Sequence, residues 1–400
     1  MSLFLTVVSV EEAVRSVQDL APALEREMIP LASSFHRILA EDVRADVDIP
    51  GFDRSVVDGY ALQARDTVGA SDALPAILWY RGRIPMGSPP SFALHPDECA
   101  YIPTGGVLPK GANGVAMIEY SEQMEDEVLV HRPVAAGENV IQHDEDFAKG
   151  IVVLPRGHFI RPQDMGILAA AGAIHVPVYA TPRVGIISTG TELIPPETVP
   201  IPGEIRDANS FMISGFLQEH GCHPRQYGII SDEGTLIRDT LVRAVKECDV
   251  VILSGGSSKD LRDVTAQVIG ELGEVRVHGI SLQPGKPTIV GRIGKTPVIG
   301  LPGHPASAFI VLWVIVRPLL EQMMSRSFPV QKIPAILAES VPSPKGREDY
   351  VRVRLQDGKA IPLFGKSGLL NTLVQSDGMI QIPAESEGLE GGTPVKVILW

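Results

Sequence analysis

Apolar and polar positions repeat with two different periods along the chain, and the change of period divides it. Near the start, Ser9 and Glu12 form a capping-box pattern, because a serine can accept the third backbone N–H while the glutamate reaches back to the cap. This predicts a helix through EAVRSVQDLAPAL, interrupted only at Pro22. From residue 49 to about 135 the apolar residues come in short runs, PAILWY, ECAYIP, GVAMIEY and EVLVHRP, separated by Gly and Pro. Runs of that length bounded by turn residues predict strands, and together a small β domain. Helical texture returns at residues 163–171, so the first domain is expected to be discontinuous.

Beyond residue 182 the pattern changes again. RVGIIST, RQYGII and CDVVILSGG read as strands; NSFMISGFLQEHG, DEGTLIRDTLVRAVKE and DVTAQVIGELG read as helices. Strands alternating with helices at this spacing predict a doubly wound, parallel α/β sheet with ligands at the carboxyl ends of its strands. Residues 306–316, ASAFIVLWVIV, are stopped by Arg317 and Pro318, short of the ~20 residues a membrane span needs. A buried helix or a subunit interface is expected there. After residue 333, YVRVRL, GMIQIP and PVKVILW alternate without a convincing helix, which predicts a terminal β domain.

Composition narrows the chemistry. At 400 residues the chain exceeds one ordinary core, so two to four domains are expected. A net charge of −13 argues against a broad nucleic-acid or anionic-membrane surface, so any bound anion must be held locally. Cys99, Cys222 and Cys248 are widely separated and show no CxxC spacing, which suggests neither a disulfide framework nor a zinc site and fits a reducing cytoplasm. The first residues carry an acidic pair and no basic stretch or cleavage site, so no signal peptide is expected.

Three predicted strand ends lead into polar loops: STGTE at 188–192, SGGSSKDLRD at 254–263 and GLPGHP at 300–305. Glycines allow close backbone approach, and free N–H groups at a helix start favour an anion. Any one of these strings is ordinarily just a strand-to-helix turn, and SGGSS is neither a Walker loop nor a GxGxxG fingerprint. In QPGKP the prolines aim Lys286 toward an oxyanion, although a solvated turn lysine is the default for such a residue alone. Glu192, Asp207, Asp232, Asp260 and Asp263 are oxygen donors suited to magnesium rather than zinc, with a plain helix cap nearly as good an account of Asp232. His220-Gly221-Cys222-His223 is too crowded for a tetrahedral site and reads as a helix terminus. FDRSVVDGY at 52–60 fits a surface turn or a loop presented to a ligand equally well.

Together the motifs resemble the molybdopterin molybdenumtransferase (MoeA) family, whose relatives include the C-terminal domain of gephyrin. The resemblance runs through IPGFDRSVVDGYAL, YIPTGGVLPKGANGVAMIE, PRVGIISTGTELIPP, GEIRDANS, the SGGSS loop with Asp263, QPGKP, GLPGHPAS, KGRED and FGKSG, which span nearly the whole chain. It implies a multidomain α/β plus β fold. Domain I, helical and discontinuous, takes residues 1–50 with 146–180; β-rich domain II takes 51–145; a doubly wound, MogA-like domain III takes 181–328; and a small β-barrel-like domain IV takes 329–400. The resemblance further implies a cytoplasmic homodimer with a site shared between subunits, and magnesium-dependent insertion of molybdate or tungstate into adenylylated molybdopterin with release of AMP. A molybdopterin adenylyltransferase is a possible partner.

Carried over position by position, the resemblance assigns catalysis to Asp58, Thr104, Glu192, Asp232, Asp263 and Lys286, and magnesium to Glu192, Asp232 and Asp263. Substrate contact falls to Asp146, Gly255, Gly256, Ser258, Pro302, Gly303, Arg347 and Ser367, with Arg347 able to bind an oxyanion in a fork. The chain departs from the family at Ser257, Lys259 and Asp260 in the SGGSS loop, at Gln283 for a lysine, and at His304 for an asparagine. Family arginines are also missing around residues 141–143. Lys259, Arg262 and Lys366 are candidate replacements for the lost cations. Two other readings of the same fold are an adenylyltransferase and a non-catalytic pterin-binding scaffold; the retained Glu192, Asp263, Lys286 and Ser367 favour the metal-inserting enzyme.

Overall fold

Helix Val10–Gln18 begins as its sequence predicts: the Glu12 N–H donates to Ser9 Oγ at 3.1 Å, and the Ser9 N–H donates to Glu12 Oε2 at 3.0 Å. It stops well before Pro22. Leu20 and Ala21 turn back onto Val17 and Gln18, because the residue before a proline is disfavoured in helical conformation. The computed structural model describes residues 7–255 and 259–400, excluding the side chains of 259–263. Two units emerge: Met28–Phe35 with Leu39–Pro177, and Met1–Glu27 with His36–Ile38 and Val178–Trp400.

In the first unit, a six-stranded sheet orders Gly114–Met117, Gly59–Leu62, Glu98–Ile102, Ala76–Arg83, Glu127–Val130 and Ser121–Met124. Each apolar run from the sequence contributes one of these strands. Tyr60, Leu62, Leu78, Cys99, Val128 and Val130 bury one cluster, and Ile84, Ala100, Ile102 and Val115 bury another. Burial pushes the Cys99 thiol up to about 12, so it packs as an uncharged apolar group.

The second unit is built on another six-stranded sheet, in the order His223–Ile230, Arg183–Thr189, Val250–Gly255, Thr296–Leu301, Ile289–Ile293 and Glu274–His278. Its first four strands run parallel, as the alternating pattern requires, and the last two pairings are antiparallel. Helices Gly234–Glu247 and Lys259–Leu272 pack on it through Ile237, Leu241, Ala266 and Ile269, which meet Ile187, Leu253, Ile289 and Val298 from the strands. Helix Asn209–Glu219 ends at Gly221 with φ 72°, the conformation that suits glycine. His220 there stacks on Phe216 at 4.1 Å, and burial lowers its pKa; the His-Gly-Cys-His string is a helix end.

Pro318 does not stop the apolar helix. Helix Pro305–Val311 passes into a π turn at Leu312–Val316 and continues as Arg317–Met324. The wider turn resets the hydrogen-bond register, placing Pro318 at the start of a new segment, where its missing N–H costs little. The resulting Pro305–Met324 is long and apolar enough to cross a membrane, but 67% of its most apolar window is buried inside the fold. A core helix passes the same composition test.

Five terminal strands, Glu348–Gln356, Lys359–Pro362, Lys332–Leu337, Pro394–Leu399 and Gly378–Ile382, close on themselves as a small barrel around Leu337, Val353, Ile380, Ile382 and Val397. One helical turn, Asn371–Val374, interrupts this β region; four residues are too few for a helical period to show in sequence. Two features attach the barrel to the α/β part. Leu282–Gln283 pairs in parallel with Glu348 and Asp349, and Trp400 lies 5.1 Å from Phe309 and 6.4 Å from Trp313 between ring centroids.

Candidate functional site

The parallel strands Arg183–Thr189, Val250–Gly255 and Thr296–Leu301 end on one edge of their sheet, as a doubly wound fold requires. A crevice of about 370 Å³ opens there, between the strand-end loops and residues Gly368 and Leu370 of the barrel. Gly255 shows why the loop needs glycine. At φ 150°, an added Cβ would stand 2.0 Å from the Thr189 carbonyl oxygen.

A buried polar network fixes the crevice wall. Asn209 Nδ2 donates to Ser254 Oγ and to the Gly303 carbonyl, both at 2.9 Å, tying the start of one helix to two strand-end loops. Asn209 Oδ1 is buried and has no hydrogen-bond partner, so it remains an acceptor for a ligand donor. Asp207 is fully engaged by the protein: Ser188 Oγ donates to its Oδ2 at 2.6 Å and the Ser210 N–H to its Oδ1 at 3.1 Å. Its carboxylate organises the helix start. Asn209 was not singled out from sequence, although GEIRDANS carried the relevant signal; Ser254 opens the SGGSS loop that was.

Beyond the carboxyl edge, the STGTE loop folds back on itself. Glu192 lines the crevice, and its carbonyl accepts the Ile205 N–H. Asp232 Oδ2 accepts the Thr191 N–H at 3.2 Å, while its Oδ1 is buried without a partner. Burial and, secondarily, the Glu192 charge raise the Asp232 pKa. An orphaned carboxylate oxygen beside a second carboxylate suits a divalent cation. Among the described residues, no group of three His, Cys, Asp or Glu could hold a metal. Asp263 lies on helix Lys259–Leu272, but its side chain falls outside the described set, as do Gly256, Ser257 and Ser258 altogether.

A second cavity, of about 460 Å³, adjoins the first. Gln283, Pro284, Asp349, Arg352, Lys366 and Ser367 help to line it, and His304 lines both cavities. His304 Nδ1 is hydrogen-bonded to Ser367 Oγ at 2.8 Å. Gly303 lines the crevice and Pro302 is buried behind it. Lys286 is exposed and lines neither cavity; its carbonyl accepts the Ile280 N–H. Arg347 is ion-paired with Asp349: Nη2 donates to Oδ2 at 3.4 Å, while Nε lies 2.9 Å from Oδ1 but neither of those two atoms has a hydrogen-bond partner.

Asp58, Thr104 and Asp146 belong to the other unit. Asp58 Oδ1 accepts the Thr104 N–H at 2.8 Å, with Thr104 Oγ1 at 3.3 Å, and both residues are exposed. Asp146 is exposed too, its N–H donating to the Ile49 carbonyl at 3.0 Å.

The fold and crevice define an α/β ligand-binding protein whose site is completed by a barrel. The MoeA N-terminal region, covering domains I and II, matches residues 8–172; a probable molybdopterin binding domain matches 185–322; and the MoeA C-terminal region, domain IV, matches 334–400. The chain belongs to the MoeA family. It is 33% identical to a molybdopterin molybdenumtransferase of Bacillus subtilis, over 98% of this chain and 94% of that one. A putative molybdopterin biosynthesis protein of Methanocaldococcus jannaschii is 34% identical, over 93% and 91%. The crystal structure of a molybdopterin biosynthesis MoeA protein from Pyrococcus horikoshii superposes with a TM-score of 0.85 at 34% identity, covering 99% of this chain and 100% of that one.

Proposed function

We propose that this protein is a molybdopterin molybdenumtransferase of molybdenum cofactor biosynthesis, inserting molybdate or tungstate into adenylylated molybdopterin and releasing AMP. The observation that carries the reading is the pair of adjoining cavities sharing His304. One is large enough for a fused ring and offers the unpartnered Asn209 acceptor; the other is lined by Arg352, Lys366 and the Ser367 hydroxyl, suited to an oxyanion, together with Asp349, which is ion-paired to Arg347.

Gly255 and Gly303 let the backbone approach the pterin part, with Gly256, Ser258 and Pro302 in the same loops. Ser367, held by His304, supplies a hydroxyl to the oxyanion, and Lys286 and Arg347 complete the family's cation set. Glu192 and Asp232, with Asp263, would hold Mg²⁺, which supplies charge neutralisation at the phosphoanhydride. Asp58, Thr104 and Asp146 act on the substrate in a cytoplasmic homodimer whose site is shared between subunits. The division into domains I to IV at the boundaries given by the sequence belongs to the same proposal, as does an adenylyltransferase partner that hands over the substrate.

The test supplies purified protein with adenylylated molybdopterin, Mg²⁺ and molybdate or tungstate, and follows AMP release together with metal incorporation. The reading requires both. Turnover of ATP with molybdopterin alone would make the protein an adenylyltransferase, and binding without either reaction would make it a scaffold.

A further inference from the structure

The cavity beside the crevice holds a cation that the family resemblance does not assign. Arg352, on barrel strand Glu348–Gln356, is 7% exposed and lines that cavity. Its Nη2 donates to the Gly365 carbonyl at 3.2 Å, while Nε and Nη1 are buried without hydrogen-bond partners. Burial alone pushes its pKa down. A buried guanidinium with two of its three nitrogens unpaired is costly unless something with several acceptor oxygens completes it.

The other charges around the cavity are already committed or remote. Asp349 lines the cavity but is ion-paired with Arg347, whose Nη2 donates to Oδ2 at 3.4 Å and whose Nε lies 2.9 Å from Oδ1 without a hydrogen bond, and neither Arg347 nor Lys286 lines the cavity. Gln283, which does line it, is neutral where the family has a lysine. Lys366 is exposed on the loop that Arg352 holds by the Gly365 carbonyl. Ser367, next on that loop, presents its hydroxyl to His304. One buried guanidinium, one flexible ammonium and one hydroxyl therefore surround a space large enough for a tetrahedral oxyanion, with the Asp349 carboxylate in the same wall offset by its ion pair to Arg347.

We propose that Arg352 is a guanidinium that binds the tetrahedral oxyanion in this protein, presenting Nη1 and one N–H of Nη2 to two of its oxygens while the other N–H of Nη2 keeps the Gly365 carbonyl. This deepens the proposed function and rests on it for the identity of the anion. It also accounts for the loss of the lysine at Gln283, because a fork satisfied only by the anion supplies the missing charge and adds shape selectivity that a lysine lacks.

Molybdate binding to the full-length protein, measured by calorimetry in wild type and in R352Q, R352K and R354Q, tests it. Arg354 lies two residues along the same strand and is exposed, so it controls for general electrostatics. The expected result is a loss of at least ~30-fold in molybdate affinity for R352Q, ~10-fold for R352K, which keeps the charge but not the fork, and less than ~3-fold for R354Q. In turnover, R352Q is expected to raise KM for molybdate with kcat at saturating molybdate and affinity for adenylylated molybdopterin held within ~2-fold. A loop merely loosened by losing the Gly365 contact would lower kcat as well.

Molybdate affinity within ~3-fold of wild type in R352Q overturns the assignment, as does an equal loss in R354Q or no molybdate binding by the wild type. Should R352Q fold poorly, by its melting curve, R352K decides alone: wild-type affinity there overturns the proposal. A wild type that binds molybdate in the Arg352-dependent way but neither releases AMP nor incorporates metal sinks the proposed function and leaves the Arg352 site standing.

Discussion

His304 Nδ1 and Ser367 Oγ lie 2.8 Å apart, joining the turn that follows a parallel strand of the α/β sheet to a loop of the terminal barrel. The Ala306 N–H donates to the Ser367 carbonyl at 3.1 Å alongside it. Because His304 lines both cavities, this pair holds the wall that they share. The backbone bond survives any side-chain change, so the side-chain bond is a separable contribution.

His304→Ala is therefore expected to raise KM for molybdate by ~10-fold, the scale of one net hydrogen bond of ~1–1.5 kcal/mol, with little change in melting temperature. His304→Asn, which places the family's residue there, keeps a group able to reach Ser367 and is expected to stay within ~3-fold of wild type. Steady-state kinetics with varied molybdate check both. Equal loss in the two variants would show that the imidazole itself, rather than its bond to Ser367, matters.

The parts legible in sequence were those written in local periodicity. The strands of the β unit, the parallel α/β core, the helix-ending Gly221 and the capping box at Ser9 all follow from spacing over fewer than about fifteen residues. What stayed hidden depends on contacts between distant segments. Asn209 looks like an ordinary helix-start residue until its amide is seen to bridge Ser254 and Gly303. Arg352 looks like any outward polar residue of a strand whose Val351 and Val353 face the barrel core, and only the loop at Gly365 and the cavity beside it bury its side chain. Pro318 misled for a different reason: the π turn before it has no sequence period of its own.

Gly255→Ala should be far more damaging than an average surface change. The new methyl would meet the Thr189 carbonyl at 2.0 Å and the Thr189 side chain at 2.2 Å, from a backbone with φ 150°. Backbone cannot yield there without parting two paired strands of the central sheet. A loss of ~2–4 kcal/mol is expected from combined clash and strain. Denaturant titration measures it, and a loss below ~1 kcal/mol would show that the strand end adapts.

Asp232→Asn is expected to separate stability from function. Burial, joined by the Glu192 charge, raises the folded pKa of Asp232 above its unfolded value. A raised acid pKa means that the folded state binds the proton more tightly, so this group's contribution to stability falls as pH rises from about 4 through the folded pKa. Asparagine never ionises and can still accept the Thr191 N–H. The variant should thus match the wild type near pH 3 and exceed it in melting temperature at pH 7, while AMP release falls by ~10- to 100-fold for want of a metal-side carboxylate. Lower stability than wild type at pH 7 would contradict the burial argument.

Asp164 gives the opposite sign in the other unit. Arg161 forks onto its carboxylate at 2.9 and 3.0 Å, His158 Nε2 approaches at 2.8 Å, and the Arg161 N–H donates at 2.8 Å; the guanidinium, first of these, holds the carboxyl well below the usual range. With the folded pKa depressed, the stabilisation is complete above the unfolded carboxylate pKa of about 4 and is lost as pH falls through the folded value. Asp164→Asn should therefore lower stability at pH 6 to 7 by ~1.5–3 kcal/mol, the scale of hydrogen bonds to a charged group, and the difference from wild type should shrink below pH 4. Melting curves from pH 3 to 7 read this directly. The helix Pro162–Ala170 begins at this cluster, so its far-ultraviolet signal is expected to fray first in the variant. A penalty independent of pH would mean that the lost packing of the side chain, not its charge, sets the cost.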